Sequence, residues 1–150
     1  MKKISILGST GSIGVNALNV IRKIPKKFQV MHLTGNMNTE EMIAQGKEFL
    51  PASITMVDIH AAEIVEKALK GLSIEIYSGR DKLLDLAGDK NVDLLLNALV
   101  GASGMEPTLK ALENGVDVAL SNKESLVVAG DIIYSAMKKS GANLFPVDSE

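Results

Sequence analysis

Short apolar runs alternate with amphipathic stretches along the whole 150-residue chain. The apolar runs predict strands at Lys3–Leu7, Gln29–Thr34, Ser53–Asp58, Ser73–Tyr77, Val92–Asn97, Asp117–Leu120 and Asn143–Val147. The amphipathic stretches predict helices at Ser12–Ile24, Thr39–Phe49, Ala61–Lys70, Arg80–Ala87, Pro107–Asn114 and Lys123–Lys139. Because strands that are separated by helices need crossover connections, they build a parallel sheet that is covered on both faces. The pattern therefore predicts one α/β domain, with a doubly wound parallel sheet of the Rossmann type and about seven strands.

The predicted helices carry local signals of their own. The buried face of the first helix is predicted from apolar residues at helical spacing, which are Ile13, Ala17, Ile21 and Ile24. Glycines of the kind that end helices follow three of the predicted helices, at Gly71, Gly115 and Gly141. Pro107 is expected at the first position of its helix, where the missing N–H has no cost.

The composition argues against several classes of function. With a net charge of −2 and 3% aromatic residues, the chain has neither a broad basic surface nor base-stacking platforms, so we expect no nucleic-acid partner. The absence of cysteine excludes disulfides, thiolate metal sites and a thiol nucleophile. The apolar runs are too short to span a membrane, and the run after the two N-terminal lysines is too short for a secretion signal. We therefore expect a cytoplasmic protein that has no membrane contact.

Ligands bind outside the carboxyl ends of the strands in sheets of this type. That rule points to five loops, which are Gly8–Gly14, Gly35–Asn38, Ala98–Gly104, Ser121–Ser125 and Pro146–Glu150. The first loop follows a strand and opens a helix with G-x-x-G-x-x-G, a spacing that differs from the commoner G-x-G-x-x-G. Its glycines allow the backbone to approach a pyrophosphate, and Ser9, Thr10 and Ser12 add hydroxyl donors. The order of strand, loop and helix favours dinucleotide binding over the alternative, a turn in which a Ser or Thr caps the helix.

The end of the second strand indicates which dinucleotide is bound. An NAD enzyme places an acid about twenty residues past the glycine loop, to bind the ribose hydroxyls. Here the segment Thr34-Gly35-Asn36-Met37-Asn38 contains no acid, and its threonine and asparagines can hydrogen-bond a 2′-phosphate. The segment therefore favours NADPH over NADH. Alternatively, Asn38 or Thr39 merely caps the following helix, with Glu41 completing a capping box, and both roles can coexist.

The remaining loops carry weaker signals. Ala98–Gly104 contains small residues that permit close approach of a ligand, or it simply needs glycine conformations. Lys123 lies at a strand end where it and nearby amides can hold an anion, although polar caps begin many helices. Asp148 and Glu150 can present oxygens to one hard cation such as Mg²⁺, because alternate side chains of an extended segment share a side. A solvated acidic end is the commoner explanation of such a pair.

Four of these stretches, taken together and in this order, resemble the 1-deoxy-D-xylulose 5-phosphate reductoisomerase family. They are Ile6–Gly14, Asn97–Gly104, Ala119–Val127 and Pro146–Glu150. The segments Asn-Lys-Glu-Ser and Pro-Val-Asp-Ser-Glu are highly specific in combination, and the resemblance covers all 150 residues. It implies an NADPH- and metal-dependent homodimer of the isoprenoid (non-mevalonate) pathway, which rearranges a sugar phosphate and reduces the product to 2-C-methyl-D-erythritol 4-phosphate.

The resemblance also implies roles for individual residues. The implied cofactor-binding residues are Gly8, Thr10, Gly11, Ser12, Ile13, Gly14, Asn36, Met37, Asn38, Asn122 and Glu124. Lys123 and Ser149 are implied to contact the substrate, and the implied ligands of Mg²⁺, Mn²⁺ or Co²⁺ are Asp148 and Glu150. Many family members carry a basic residue where this chain has Met37, so we expect a weaker preference for NADPH or a different backbone path.

The family chain runs well beyond this sequence, with a further metal-ligating glutamate, a flexible lid, most of the substrate-phosphate contacts and a C-terminal helical region. We therefore expect residues 1–150 to be the NADPH-binding domain alone, without the catalytic and C-terminal helical domains. Such a chain is expected to bind the cofactor without turnover.

Other functions remain open at this stage. A short-chain dehydrogenase would use Ser121, Tyr134 and Lys138, with Tyr134 as the acid and Lys138 lowering its pKa. Against it, Tyr134 lies off the stripe that we expect to pack on the sheet, namely Leu126, Ala129, Ile133 and Ala136. A semialdehyde dehydrogenase needs a cysteine nucleophile, which the chain lacks. The chain could also be a non-catalytic nucleotide-sensing module. The two histidines, His32 and His60, are isolated in sequence and are interpreted as structural or surface residues.

Overall fold

The computed structural model describes residues 1–121 and 124–147, apart from the side chain of Ser125. Its strands are β1 (Lys2–Leu7), β2 (Phe28–Gly35), β3 (Ser53–Met56), β4 (Glu75–Ser78), β5 (Leu94–Asn97), β6 (Asp117–Leu120) and β7 (Leu144–Pro146). Its α-helices are α1 (Ser12–Lys23), α2 (Thr39–Phe49), α3 (Ile59–Ala68), α4 (Arg80–Ala87), α5 (Met105–Glu113) and α6 (Glu124–Ser140). A short 3-10 helix, Gly101–Gly104, directly precedes α5 and was not predicted. The rest of the order follows the predicted alternation.

The strands form one parallel sheet in the order β4-β3-β2-β1-β5-β6-β7. The chain builds outward from β1 to β4 and then crosses back through α4 to β5, on the other side of β1. The connections that leave β1 and β5 therefore run in opposite directions, which opens a crevice between the carboxyl ends of these two strands. The predicted fold class, a doubly wound parallel sheet, is confirmed.

The described helices cover the two faces of the sheet in two sets. The first set is α1, α2 and α3, which contribute to one buried apolar cluster the residues Leu18, Met42 and Val65. The second set is α4, α5 and α6, which contribute to another cluster Leu83, Leu112 and Ile133. Both clusters include strand residues, so the sheet is buried on both sides, as apolar runs such as Leu94-Leu95-Leu96 predict.

Two predictions about the helices are wrong in detail. Because α5 begins at Met105, Pro107 is its third residue and not its first. A proline is tolerated there because the first amides of a helix have no partner within it. The buried face of α1 consists of Gly14, Leu18 and Ile21. It shares Ile21 with the predicted face, and Ala17 of that face is partly buried beside it. Ile24 lies past the end of α1 and is 39% exposed.

A buried histidine links the connection between α4 and β5 to the sheet. The Nδ1 atom of His32, on β2, lies 2.6 Å from the Ser53 hydroxyl on β3, and its Nε2 atom lies 2.8 Å from the Asp89 carboxylate. Asp89 belongs to the connection between α4 and β5. Burial alone would raise the pKa of Asp89, but hydrogen bonds from His32 and Asn91 outweigh it and hold this pKa below its ordinary value of 3.8. His32 is thus a structural residue, whereas the side chain of His60 is 89% exposed.

Candidate dinucleotide-binding site

The loops predicted to bind a ligand lie together at the carboxyl edge of the sheet. The described parts of these loops follow β1, β2, β5 and β6, which are adjacent and parallel strands. At the centre, the first and third of the predicted loops are in contact. The Ala98 amide donates to the Leu7 carbonyl at 3.0 Å, and a Cβ atom added to Gly8 would lie 3.1 Å from the Ala98 carbonyl oxygen. The glycine loop therefore lies at the switch point of the sheet.

The turn from β1 into α1 is held by the neighbouring strand. The backbone carbonyl of Thr34, on β2, accepts hydrogen bonds from the amides of Gly8 at 3.1 Å and Ser9 at 2.9 Å. The Thr34 hydroxyl accepts a further bond from the Gly8 amide at 3.1 Å. On the other side of the turn, the buried side chain of Gln45 donates to the Ser9 carbonyl at 2.9 Å. These contacts fix the turn before any ligand is bound.

Two of the three motif glycines are required by the fold. Gly8 has a φ of +78°, a conformation that disfavours other residues. A Cβ atom on Gly14 would lie 2.5 Å from both the Gly8 carbonyl oxygen and the Ser9 Cα atom, so no side chain allows α1 to pack this close to β1.

The middle glycine is different. Gly11 has a φ of −79°, which any residue adopts, and an added Cβ would meet the Gly8 carbonyl oxygen at 3.6 Å, an ordinary contact. Gly11 is also exposed. The described chain therefore gives no steric reason for glycine at this position, which fits a backbone that a ligand approaches closely.

The N-terminus of α1 has no side-chain cap. Its N-cap residue is Gly11, this helix has no acid in its first turn, and among residues 1–121 and 124–147 no side chain bonds the first-turn amides of α1. The alternative prediction, in which a Ser or Thr caps the helix, is therefore wrong. Ser12 is exposed, and Thr10 and Ile13 are partly exposed. The free amides and the positive end of the helix dipole make this turn suitable for a phosphate group.

The end of β2 departs from the prediction at one residue. Thr34 is fully buried and its hydroxyl bonds Gly8, so it does not face a 2′-phosphate as its chemistry suggested. Asn36, Met37 and Asn38 are exposed at the edge of the site. The Asn38 side chain accepts a hydrogen bond from the Glu41 amide at 3.2 Å, so the predicted capping role is confirmed. The Glu41 carboxylate accepts from Gln45 and does not complete a capping box.

The loop after β5 is shaped by a buried asparagine. The Asn97 amide group donates to the Gly104 carbonyl at 2.7 Å and to the Thr108 hydroxyl at 2.8 Å, and its side-chain oxygen accepts from the Leu99 amide at 3.2 Å. The Asn97 backbone carbonyl accepts from both the amide and the hydroxyl of Ser121. Asn97 thereby orders the loop between β5 and α5 and links it to the end of β6.

Several residues implied by the resemblance lie outside the described part of the chain. They are Asn122, Lys123, Asp148, Ser149 and Glu150. Glu124 is exposed at the start of α6. Within residues 1–121 and 124–147, no group of three or more His, Asp or Glu side chains is arranged to hold a metal ion. Across the same residues, none of the helices has the length and apolar character needed to span a membrane.

The dehydrogenase alternative is not favoured by α6. Ala129, Ile133 and Ala136 are buried against the sheet as predicted, and Leu126 is partly buried beside them. Tyr134 is 67% exposed on the other side of the helix, and Lys138 is also exposed. The helix is kinked at Ala129, where φ is −128° and ψ is 24°. The Ser121 hydroxyl is already engaged, since it donates to the Asn97 carbonyl.

The sequence did not indicate the roles of three residues that shape this edge. Thr34 and Asn97 hold the two central loops, and Arg80 donates to the Ser103 carbonyl at 2.8 Å. The contacts of Thr34 and Arg80 join residues 26 and 23 positions apart. No local pattern in the sequence signals such contacts, although Arg80 begins a predicted helix three residues after the predicted strand Ser73–Tyr77, where a cation would lie at this edge.

Comparisons with known proteins identify the family of the chain. Residues 4–130 match the family described as 1-deoxy-D-xylulose 5-phosphate reductoisomerase. A family member from Thermodesulfovibrio yellowstonii is 45% identical over 150 residues, which are 100% of this chain and 39% of that protein. The Zymomonas mobilis enzyme, solved in complex with NADPH, has a TM-score of 0.93 at 36% identity, over 99% of this chain and 39% of that one.

A second solved reductoisomerase is a complex with NADPH, fosmidomycin and magnesium. Its TM-score is 0.91 at 38% identity, over 97% of this chain and 36% of that one. The chain thus spans less than half the length of the relatives that it matches. Because the family match covers most of the chain, the assignment rests on sequence as well as on fold. The chain belongs to the 1-deoxy-D-xylulose 5-phosphate reductoisomerase family.

Proposed function

We propose that this chain is the NADPH-binding domain of a 1-deoxy-D-xylulose 5-phosphate reductoisomerase. The observation that carries the proposal is Gly11, which is exposed at an uncapped helix N-terminus and has no steric reason to be glycine within the described chain. A bound pyrophosphate supplies that reason, because its oxygens would approach the backbone where a side chain would stand. Two solved relatives are complexes with NADPH, which supports the same cofactor.

The residues of the chain bind and orient the cofactor. The amides of the first turn of α1 would donate to the pyrophosphate, with the hydroxyls of Thr10 and Ser12 as further donors. The exposed segment Asn36-Met37-Asn38 would face the adenosine ribose and its 2′-phosphate, and Asn122 and Glu124 would meet the cofactor from the β6 side. NADPH supplies the hydride when it is bound, and the position of the switch-point crevice sets where that hydride is delivered.

The substrate and metal residues are proposed from the family motif. Lys123 and Ser149 would contact the sugar phosphate, and Asp148 and Glu150 would bind Mg²⁺, Mn²⁺ or Co²⁺. Carboxylates suit such hard cations, and a solved relative is in complex with magnesium. The metal would polarise oxygens of the substrate as a Lewis acid.

The activity of the whole protein is also a proposal, because this chain covers 39% of the length of its relative from Thermodesulfovibrio yellowstonii. We propose that the full-length protein is a cytoplasmic homodimer that serves isoprenoid biosynthesis, by rearranging its substrate and reducing the product to 2-C-methyl-D-erythritol 4-phosphate. Residues 1–150 would form its cofactor domain, which binds NADPH without turnover because the family's catalytic domain lies outside it.

The test is a fluorescence titration of the 150-residue chain with NADPH, together with its Gly11→Ser variant. Serine is at least as good an N-cap residue as glycine and fits the observed backbone, so the thermal midpoint is expected to stay unchanged or rise slightly. The new side chain would stand where the pyrophosphate binds. We expect the Kd for NADPH to rise at least about tenfold, as when one charge-assisted hydrogen bond is lost.

The matched control is Val20→Ser, which puts the same side chain on an exposed position of the same helix, two turns further along. It should leave the Kd unchanged. Failure of the parent chain to bind NADPH, or equal affinities of the Gly11→Ser variant and the parent, would refute the proposed site. Oxidation of NADPH that depends on the sugar phosphate would refute the absence of turnover.

A further inference from the structure

Arg80 places a positive charge at the carboxyl edge of the sheet, outside the loops that the sequence predicted to bind ligand. It is the first residue of α4 and follows β4 after a single glycine. The Gly79 amide continues the ladder by donating to the Met56 carbonyl at 3.0 Å, so the chain enters α4 directly from the edge of the sheet. Arg80 therefore begins at the same edge as the glycine loop.

The Arg80 side chain points from the outer strand toward the centre of the site. Its Nη2 atom donates to the Ser103 carbonyl at 2.8 Å, in the 3-10 turn that follows β5. In the strand order, β3, β2 and β1 lie between β4 and β5. The guanidinium is thus held on the side of α4 that faces the switch-point crevice, and it is partly exposed there.

Most of the hydrogen-bonding capacity of this guanidinium remains available. A guanidinium has five N–H donors, and among the described residues one bond, to Ser103, engages it. None of the described carboxylates forms an ion pair with Arg80. A cation at the first position of a helix also opposes the helix dipole, so the position gives Arg80 no local electrostatic benefit.

The neighbouring end of β2 lacks a positive charge. The loops after β1, β2, β3 and β5, all described, contain neither lysine nor arginine. The register aligns Gly35 with Met56 and Met56 with Ser78, so the ends of β2 and β4 lie two strand spacings apart, roughly 10 Å. A long side chain that leaves Arg80 toward the centre covers most of that distance. Of the acids nearby in sequence, Asp58 caps α3 and Glu41 accepts from Gln45, whereas Glu40 and Asp81 are exposed in the first turns of α2 and α4.

We infer that Arg80 binds the 2′-phosphate of NADPH and sets the preference for NADPH over NADH. This inference rests on the proposed function. The backbone of Arg80 stands on the β2 and β4 side of the site, where the adenosine end of the dinucleotide would lie, and its side chain extends from there toward the turn after β5. The pyrophosphate would lie at α1 beside β1. A guanidinium matches the geometry of a phosphate through paired N–H donors.

The experiment measures the Kd values for NADPH and NADH with the 150-residue chain and its Arg80→Gln variant. We expect the NADPH value to rise about tenfold or more in the variant, because a charge-assisted contact is lost, and the NADH value to stay within about twofold. Arg80→Lys, which keeps the charge, should restore part of the preference. The matched control is Lys82→Gln, which removes the same charge from the same helix, where the Lys82 ammonium lies 4.1 Å from the centre of the Tyr77 ring. It should leave both values unchanged.

The outcomes separate this inference from the proposed function. If the parent chain binds neither dinucleotide, the proposed function is wrong and this inference falls with it. If the parent binds NADPH but Arg80→Gln leaves its Kd unchanged, the inference alone is overturned. Equal weakening of NADPH and NADH binding, with a lower thermal midpoint, would also overturn it, since Arg80 would then only hold the 3-10 turn. Weaker binding of NADPH alone, at an unchanged thermal midpoint, supports the inference.

Discussion

Replacing Gly14 with alanine tests whether backbone packing sets the turn between β1 and α1. The added Cβ would lie 2.5 Å from the Gly8 carbonyl oxygen, and ordinary contact begins at 3.4 Å, so the two segments must separate by about 0.9 Å. Forcing extra atoms into a packed site costs about 1–3 kcal/mol, and the upper part of that range, about 2–3 kcal/mol, applies here because the three nearest atoms are backbone. Alanine offsets about 1 kcal/mol of this, since it is favoured over glycine in a helix. We therefore expect the free energy of unfolding to fall by about 1–2 kcal/mol.

The assay is thermal unfolding of the Gly14→Ala chain, followed by titration with NADPH. For a chain of this length the expected loss lowers the midpoint by about 2–8 °C. The NADPH affinity should also fall about tenfold or more, because the first-turn amides move relative to the rest of the loop. The control is Gly130→Ala in α6, where an added Cβ has no neighbour within 4 Å and the midpoint should not fall. An unchanged midpoint together with an unchanged affinity for Gly14→Ala would refute the packing argument.

Two further substitutions test the residues that support the site and the sheet. Asn97→Leu leaves the Gly104 carbonyl, the Thr108 hydroxyl and the Leu99 amide without their partner. The free energy of unfolding, measured in urea, should therefore fall by about 2–4 kcal/mol, and amide hydrogen exchange in residues 98–104 should become faster. A fall below about 1 kcal/mol would contradict this role. Asp89→Asn removes a carboxylate whose pKa lies below 3.8, so its stabilising effect is complete above that pH and is lost as the pH falls through the lowered value. The stability difference between parent and variant should thus be present above pH 3.8 and shrink as the pH falls through the lowered value, and a difference that does not shrink on acidification would exclude this carboxylate as its cause.

The fold was predictable from the sequence because the burial of strands and helices sets the spacing of apolar residues along the chain. Apolar runs between amphipathic stretches are what a sheet covered on both faces requires. The boundaries of strands and helices were harder to predict where one residue follows a strand and also caps the next helix. Asp58 was assigned to the third strand, but its carboxylate accepts from the Ala61 amide and caps α3, which begins at Ile59. The predicted face of α1 includes the buried Ile21 but omits Gly14, because hydrophobic periodicity does not register glycine, and it includes Ile24, which lies past the end of the helix.

The site was predictable only where its chemistry is local. The glycine loop lies within seven consecutive residues between a strand and a helix, so sequence order alone indicates its position. Thr34 appeared suited to a phosphate by residue type, yet the structure uses its hydroxyl to hold Gly8. Asn97 and Arg80 act on the loop after β5, and neither role follows from residue type or spacing. Such roles depend on which strands become neighbours, which sequence order alone does not give.

The way the turn is held explains how the site can remain open and still be rigid. An ordered turn normally uses its own amides in internal hydrogen bonds. Here the amides of Gly8, Ser9 and Gly11 donate to the carbonyls of Thr34 and Gly8. The strand β2 and the buried Gln45 of α2 thereby fix the turn from behind. The next amides, those of the first turn of α1, have no acceptor within the helix and no side-chain cap. Since the turn is already ordered, binding of a phosphate to these amides costs little further conformational entropy of the chain. More of the interaction energy therefore contributes to the affinity.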